Sequence, residues 1–274
     1  MLVAHRTPKV GIAVALTAAL LAVNLSSGPF KTERDVTQVT GGFLPSESID
    51  GNITKAPMAM WADQEYFSWT RGDFNVFAIG NGHHDELFYR VVGSVFSMHH
   101  RMTVLDAAGR KVAIVQKHIM ALHTEYQIYR YWPNQPGQES TDTDDDGVPI
   151  YRWARVQKAA FAWTTEFYYN LYVGNELPND SVLLAKGQMS WQGLTELKMD
   201  IKRPGAGQPI VGTIGKSSMF HLRGNVNWVI EVARGMDALG VLCLTLAAHQ
   251  IHEEEEDARQ SSHRSSHSSI RVHG

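Results

Sequence analysis

From about residue 66 to residue 233, apolar and polar positions alternate with a period of two. Phe161, Trp163, Thr165, Phe167, Tyr169, Leu171 and Val173 fall on one side of a single extended segment. Leu197, Met199 and Ile201 alternate with Glu196, Lys198, Asp200 and Lys202. Val226, Trp228, Ile230 and Val232 alternate with Asn225, Asn227, Glu231 and Ala233, with Val229 as the exception. Successive side chains leave a strand on opposite faces, so this alternation predicts a sheet packed on one face and wet on the other. Turn-forming residues separate the runs: Gly80-Asn81-Gly82, Asp106 to Gly109, Asp146-Gly147, Asn179-Asp180 and Pro204-Gly205. The spacing predicts about ten to twelve antiparallel strands.

The period then changes. Met236 to Ile251 is almost wholly apolar, and residues 238–248 carry no charge. A helix apolar all round must be buried in protein or in lipid. This stretch would span roughly 24 Å as a helix, short of a bilayer core near 30 Å. Glu231, Arg234 and Asp237 precede it closely and an acidic run follows it, which favours a protein interior. A closed barrel of about a dozen strands is too wide for its own side chains to fill, and a helix along its axis would fill it. The pattern therefore predicts a mainly β fold: a closed antiparallel barrel of about twelve strands around a central, apolar C-terminal helix.

The two ends differ from this middle. Arg6 and Lys9 precede an apolar stretch from Val10 to Leu25, broken only by Thr17 and Asn24. A basic start followed by a short apolar segment has the form of a secretory signal peptide or signal anchor, assigned to residues 1–28. That reading makes the protein secreted or membrane-anchored; the alternative is a cytoplasmic, membrane-peripheral protein with a buried or inert N-terminal helix. The triplets Asn24-Leu25-Ser26, Asn52-Ile53-Thr54 and Asn179-Asp180-Ser181 are compatible with the secretory route and add little to it. Residues 29–59 read as a polar linker, residues 60–252 as the barrel domain, and residues 253–274 as a disordered acidic and Ser/His-rich tail. His263, His267 and His273 in that tail could hold a metal weakly, but a solvated tail accounts for them.

The formal charge is −3, from 25 basic and 28 acidic residues. There is no basic excess to neutralise phosphates along a duplex, which argues against a nucleic-acid binder. The single cysteine, Cys243, excludes an intramolecular disulfide and a cysteine-based zinc site.

Several runs together resemble one family. Gly72-Asp73-Phe74-Asn75-Val76-Phe77 is followed by Glu86 to Gly93, by Arg101 to Lys117, and by Glu125-Tyr126-Gln127-Ile128-Tyr129. Ala233-Arg234-Gly235-Met236-Asp237 then enters the apolar helix. In order and spacing these runs are similar to the LURP-one-related family, which belongs with the tubby C-terminal and phospholipid-scramblase groups. The resemblance covers about residues 60–252 and implies a twelve-stranded barrel around a central helix. It also implies a non-enzymatic domain that binds membrane phospholipid, such as a phosphoinositide, or a protein partner, with an association with defence or stress. A scramblase-like, calcium-responsive phospholipid transporter is the alternative. The chain departs from the scramblases in lacking a cysteine cluster for lipidation.

Two residue sets carry candidate chemistry. Arg101, Arg110, Lys111 and Lys117 lie on a hairpin about the Asp106–Gly109 turn. Lys111 and Lys117 are six apart, so on a regular strand they share a face and could meet a lipid phosphate. Asp142, Asp144 and Asp146, followed by Gly147, match the first half of a calcium loop, D-x-D-x-D-G. Its twelfth position is Trp153 instead of the required glutamate. The bland alternatives are a solvated hairpin face and a solvated acidic loop. His83-His84 and His99-His100 cannot chelate from a strand, where adjacent side chains diverge, and His118 and His123 lack matching carboxylates. No G-x-S-x-G, H-E-x-x-H, P-loop or G-x-G-x-x-G pattern is present, so an unrecognised secreted hydrolase is a third and weaker reading.

Overall fold

The computed structural model describes residues 48–64, 73–80, 83–94, 100–119, 124–140, 142–159, 166–177, 183–192, 196–204, 207–208, 210–217 and 227–268. All of them belong to one compact unit, Val36–Gly274. The leader expected over residues 1–28, linker residues 29–47 and tail residues 269–274 lie outside the described residues.

The period-two pattern becomes strands as expected. They are β1 (Met58–Gln64), β2 (Phe74–Gly80), β3 (His83–Gly93), β4 (Met102–Asp106), β5 (Lys111–Lys117), β6 (Glu125–Arg130), β7 (Asp142–Thr143), β8 (Pro149–Lys158), β9 (Glu166–Leu171), β10 (Leu183–Gln192), β11 (Glu196–Lys202), β12 (Ile210–Ser217) and β13 (Asn227–Val232). Twelve of these form one antiparallel sheet in the order β6-β5-β4-β3-β2-β1-β13-β12-β11-β10-β9-β8, and the two-residue β7 pairs with β8. β6 also pairs with β8, from Glu125↔Gln157 to Arg130↔Tyr151. In β9, Phe167, Tyr169 and Leu171 are buried, as the alternation requires. The earlier part of that expected segment, residues 161–165, lies outside the described residues.

Among the described residues one helix, α1 (Ala238–Ser268), packs against the sheet. Every residue from Met236 to His249 is buried, so no side of this stretch faces water. Its neighbours come from strands throughout the order. A methyl group built on Gly240 would lie 3.1 Å from Cη2 of Trp153 on β8, and one built on Gly212 of β12 would lie 3.1 Å from Cγ1 of Val241. Phe74 of β2 and Trp228 of β13 both meet the His249 ring edge-on, at 6.2 Å and 4.6 Å between centroids. Among the described residues no helix is long and apolar enough to cross a membrane.

Asp237 starts the helix. It caps the first turn by accepting the Gly240 amide, and its Oδ2 also accepts the Ile49 amide at 2.6 Å. Ile49 and Ser48, inside the expected linker, are completely buried. Thr54 exchanges backbone bonds with Gly235 and Met236, and its hydroxyl donates to the Ala233 carbonyl at 2.8 Å. Residues 48–54 thus form a strap across the start of α1, because their backbone groups find partners that the polar composition did not reveal.

The far end of α1 also departs from expectation. Residues 253–268, expected as part of a disordered tail, are helical instead. Its acidic run finds cations on the sheet. Lys117 donates to Glu254 at 2.6 Å, Tyr126 donates to the same carboxylate at 2.7 Å, and Lys158 pairs with Glu255. These long-range pairs fasten a segment whose own composition lacks the apolar surface to hold it.

Candidate functional site

The β4–β5 hairpin carries the basic candidates. Its turn is closed by the Gly109 amide donating to the Asp106 carbonyl at 2.9 Å, and Gly109 takes a φ of 79°, a conformation glycine adopts without strain. The Asp106 carboxylate accepts the Ala108 and Arg110 amides, each at 2.9 Å, and the Arg110 guanidinium at 2.7 Å. The Arg110 backbone amide, followed by its side chain, holds the Asp106 carboxyl below its ordinary value. Arg110 itself is 80 % exposed.

Lys111 and Lys117 do not share a face. In the β4–β5 register Val104 pairs with Ala113 and Leu105 pairs with Lys111, so Val112 is an extra residue in β5. A one-residue bulge reverses the alternation. Val112 packs against the main core together with Ala113 and Val115, which places Lys111 on the opposite face. Lys117 instead reaches Glu254 of α1.

The acidic candidates lie over Lys111. The chain between β6 and β8 packs on the face of β5 and β6 opposite the main core, where Ile114, Tyr129 and Ile150 form a small cluster flanked by Tyr131. The turn at its tip presents three consecutive carboxylates to two cations. Lys111 Nζ donates to Asp144 at 2.7 Å and also to Asp146. Arg101, itself held by Gln116 Oε1 at 2.9 Å, donates through Nη1 to Asp145 at 2.7 Å and through Nη2 to the Thr143 carbonyl at 3.4 Å. Asp142 stands apart and accepts the Thr143 amide at 2.9 Å.

Burial separates these contacts energetically. The side chains of Asp144 and Arg101 are 2 % and 8 % exposed, whereas those of Asp145 and Asp146 are 59 % and 70 % exposed. Solvated pairs contribute about 0–1 kcal/mol, so Asp145 and Asp146 are held weakly. Asp144 is structural: its Oδ1 accepts the Asp146 and Val148 amides at 2.9 and 2.8 Å, and its Oδ2 accepts the Tyr131 hydroxyl at 3.1 Å. Partial burial pushes its carboxyl up, but the bonds from Lys111, the two amides and Tyr131 outweigh this and hold it below the ordinary value. Burial likewise lowers the Lys111 ammonium, and its bonds to Asp144 and Asp146 more than reverse that.

This donor set does not match a calcium cage. The oxygens of Asp144 are already taken by protein donors, and a calcium ion would have to displace the Lys111 ammonium. Trp153, at the loop's twelfth position, is 1 % exposed in the main core. Among the described residues no group of three or more His, Cys, Asp or Glu side chains is arranged to hold a metal ion.

Arg101 and Lys111 of the basic set and Asp144 and Asp146 of the acidic set therefore share one charge cluster, whereas Arg110 pairs with Asp106, Lys117 with Glu254, and Asp142 stands apart. Sequence reasoning missed its link residues, Gln116, Tyr131 and Asp145. The usable signal was the meeting of a basic hairpin and the acidic run Asp142–Asp146 in one chain with little net charge.

A family model described as LURP-one-related matches residues 58–249. No curated protein matches. Among solved structures, the X-ray structure of a protein from Arabidopsis thaliana is similar, at 17 % identity over 77 % of this chain and 99 % of that chain, with a TM-score of 0.46. The family match runs from the first residue of β1 into α1, and this chain belongs to the LURP-one-related family.

Proposed function

We propose that this chain is a non-enzymatic domain whose β4–β5 hairpin binds the phosphorylated head group of a membrane phospholipid, and that its sheet is a closed barrel filled by α1. Closure is supported by β6, which bonds to both β5 and β8, so the strand order returns on itself. It is supported again by α1, which meets β2, β8, β12 and β13 within its buried stretch. A barrel filled by its own helix leaves little room for an enclosed substrate, which favours a surface-binding function over a hydrolase. The N-terminal hydrophobic segment would bring the domain to a membrane.

The observation that carries the lipid reading is the convergence of Arg101 and Lys111 on the carboxylates of Asp144, Asp145 and Asp146, with oxygens at 2.7 Å from each cation. Two cations from neighbouring parts of the hairpin already hold a multivalent anion. A phosphomonoester offers the same kind of oxygens and carries about −1.5 to −2 charges at neutral pH. Arg110, exposed at the adjoining turn, supplies a third cation.

Co-sedimentation with phosphatidylcholine vesicles containing phosphatidylinositol bisphosphate tests the reading. Each basic residue near an anionic surface contributes about 1 kcal/mol, so Arg110→Gln with Lys111→Gln is expected to weaken binding by more than an order of magnitude. Equal binding by this variant and the wild-type protein would remove the hairpin as the site.

A further inference from the structure

We infer that the β7–β8 turn is an internal competitor for the proposed phosphate site, with Asp145 and Asp146 standing where the oxygens of the head group bind. This rests on the lipid reading of the hairpin and adds its regulation. Three features of the cluster lead to it.

The first is occupancy. Arg101 and Lys111 both donate to carboxylates of the turn, and Arg101 is also bonded to Gln116 and the Thr143 carbonyl. An incoming anion therefore meets cations that are already neutralised.

The second is a division of labour among the carboxylates. Asp144 is buried, accepts two amides and a tyrosine hydroxyl, and holds the turn in shape. The Asp145 and Asp146 side chains are mostly exposed, and they accept from Arg101 and Lys111 respectively. Those two can leave by rotating their own side chains, with no change in the backbone. Displacement by a stronger anion is then a side-chain exchange.

The third is the attachment of the turn. β7 is two residues long and pairs with Pro149 and Ile150, while Gly147 holds a φ of 78° between the acidic residues and β8. The competitor is carried on this two-residue element and covers Lys111, which neighbours the bulge at Val112. The arrangement sets a threshold: a single phosphate replaces two weak exposed pairs with little gain, whereas a head group bearing several phosphates outcompetes them.

The test measures binding of four proteins to phosphatidylcholine vesicles with and without phosphatidylinositol bisphosphate, with soluble inositol trisphosphate titrated in parallel. The proteins are the wild type, Asp145→Asn with Asp146→Asn, that pair combined with Lys111→Gln, and a control of equal charge change, Glu86→Gln with Glu176→Gln, at two exposed positions elsewhere. Removing the two exposed carboxylates, which frees Arg101 from Asp145 and leaves Lys111 paired with Asp144 alone, is expected to tighten binding by the Asp145/Asp146 variant about twentyfold. The control should match the wild type, and adding Lys111→Gln should remove the gain. Equal binding by the wild type and the Asp145/Asp146 variant would overturn the competitor and leave the lipid reading standing. An equal gain in the control would also overturn it, because net charge alone would explain the effect. A gain for soluble inositol trisphosphate but not for vesicles would keep the competitor and overturn the membrane reading. Absence of binding by every protein to both ligands would overturn the lipid reading, and the competitor with it.

Discussion

Replacing Trp153 by alanine is expected to lower stability by about 3–5 kcal/mol, the range for deleting a large aromatic side chain from a core. Among the described residues, Trp153 is the largest fully buried side chain. It sits on β8, which joins β9 to β6, and its ring reaches the first turn of α1 at Gly240. Gly240 itself cannot help to fill the space, since an added methyl would also lie 3.0 Å from Asp237 Oδ2. The loss therefore creates a cavity where the sheet and the start of the helix meet, and the surrounding strands are tied on both sides and cannot collapse into it. Equilibrium denaturant unfolding measures the effect. The midpoint should fall with the slope unchanged; a loss below about 1 kcal/mol would show that the ring is not packed against the helix.

The second large effect is a pH dependence set by Asp237. This carboxyl is 1 % exposed, and burial, followed by the nearby Asp50 charge, raises it to about 6 from an ordinary value of 3.8. The amides of Ile49 and Gly240 and the Ser48 side chain pull the other way without cancelling that. The sign follows from proton counting. Between about pH 4 and pH 6 the folded protein keeps a proton that the unfolded chain has released, so stability falls as pH rises through that window. At about 1.4 kcal/mol per unit of pH, the decrease approaches ~3 kcal/mol by neutral pH. Asp106 and Asp144, held below their ordinary values, contribute with the opposite sign and at lower pH. The difference between the wild type and Asp237→Asn isolates the effect: asparagine still caps the helix but does not titrate. Unfolding free energies measured from pH 4 to pH 7 should slope downward for the wild type relative to the variant. Parallel curves would mean that the carboxyl is solvated.

Local pattern carried most of the fold. The alternation of Trp228, Ile230 and Val232 and of Phe167, Tyr169 and Leu171 marked strands whose inward residues are indeed buried. The charge-free stretch from Ala238 to Ala248 marked a buried helix, because neither half of it could face water. What escaped the sequence depended on distant partners. The bulge at Val112 leaves no local signature, yet it decides which way Lys111 points. The helical course of the Glu253–Asp257 run rests on Lys117, Tyr126 and Lys158, which lie on three strands far away in the chain. The basic and acidic candidates were each visible, but their pairing across 33 residues, as in Lys111 with Asp144, required the fold.

Cys243 offers the most direct test of the central claim, that the apolar part of α1 is enclosed by the strands. It is the only cysteine, it lies within the charge-free stretch, and it is fully buried, with burial pushing its thiol well above the ordinary value. Its reaction with dithiobis(nitrobenzoic acid) can be followed in buffer and in rising denaturant. An enclosed helix predicts that labelling proceeds only through unfolding, with a rate that rises with denaturant along the slope of the equilibrium transition. Prompt stoichiometric labelling of the native protein, independent of denaturant, would place the helix on the outside and contradict the account.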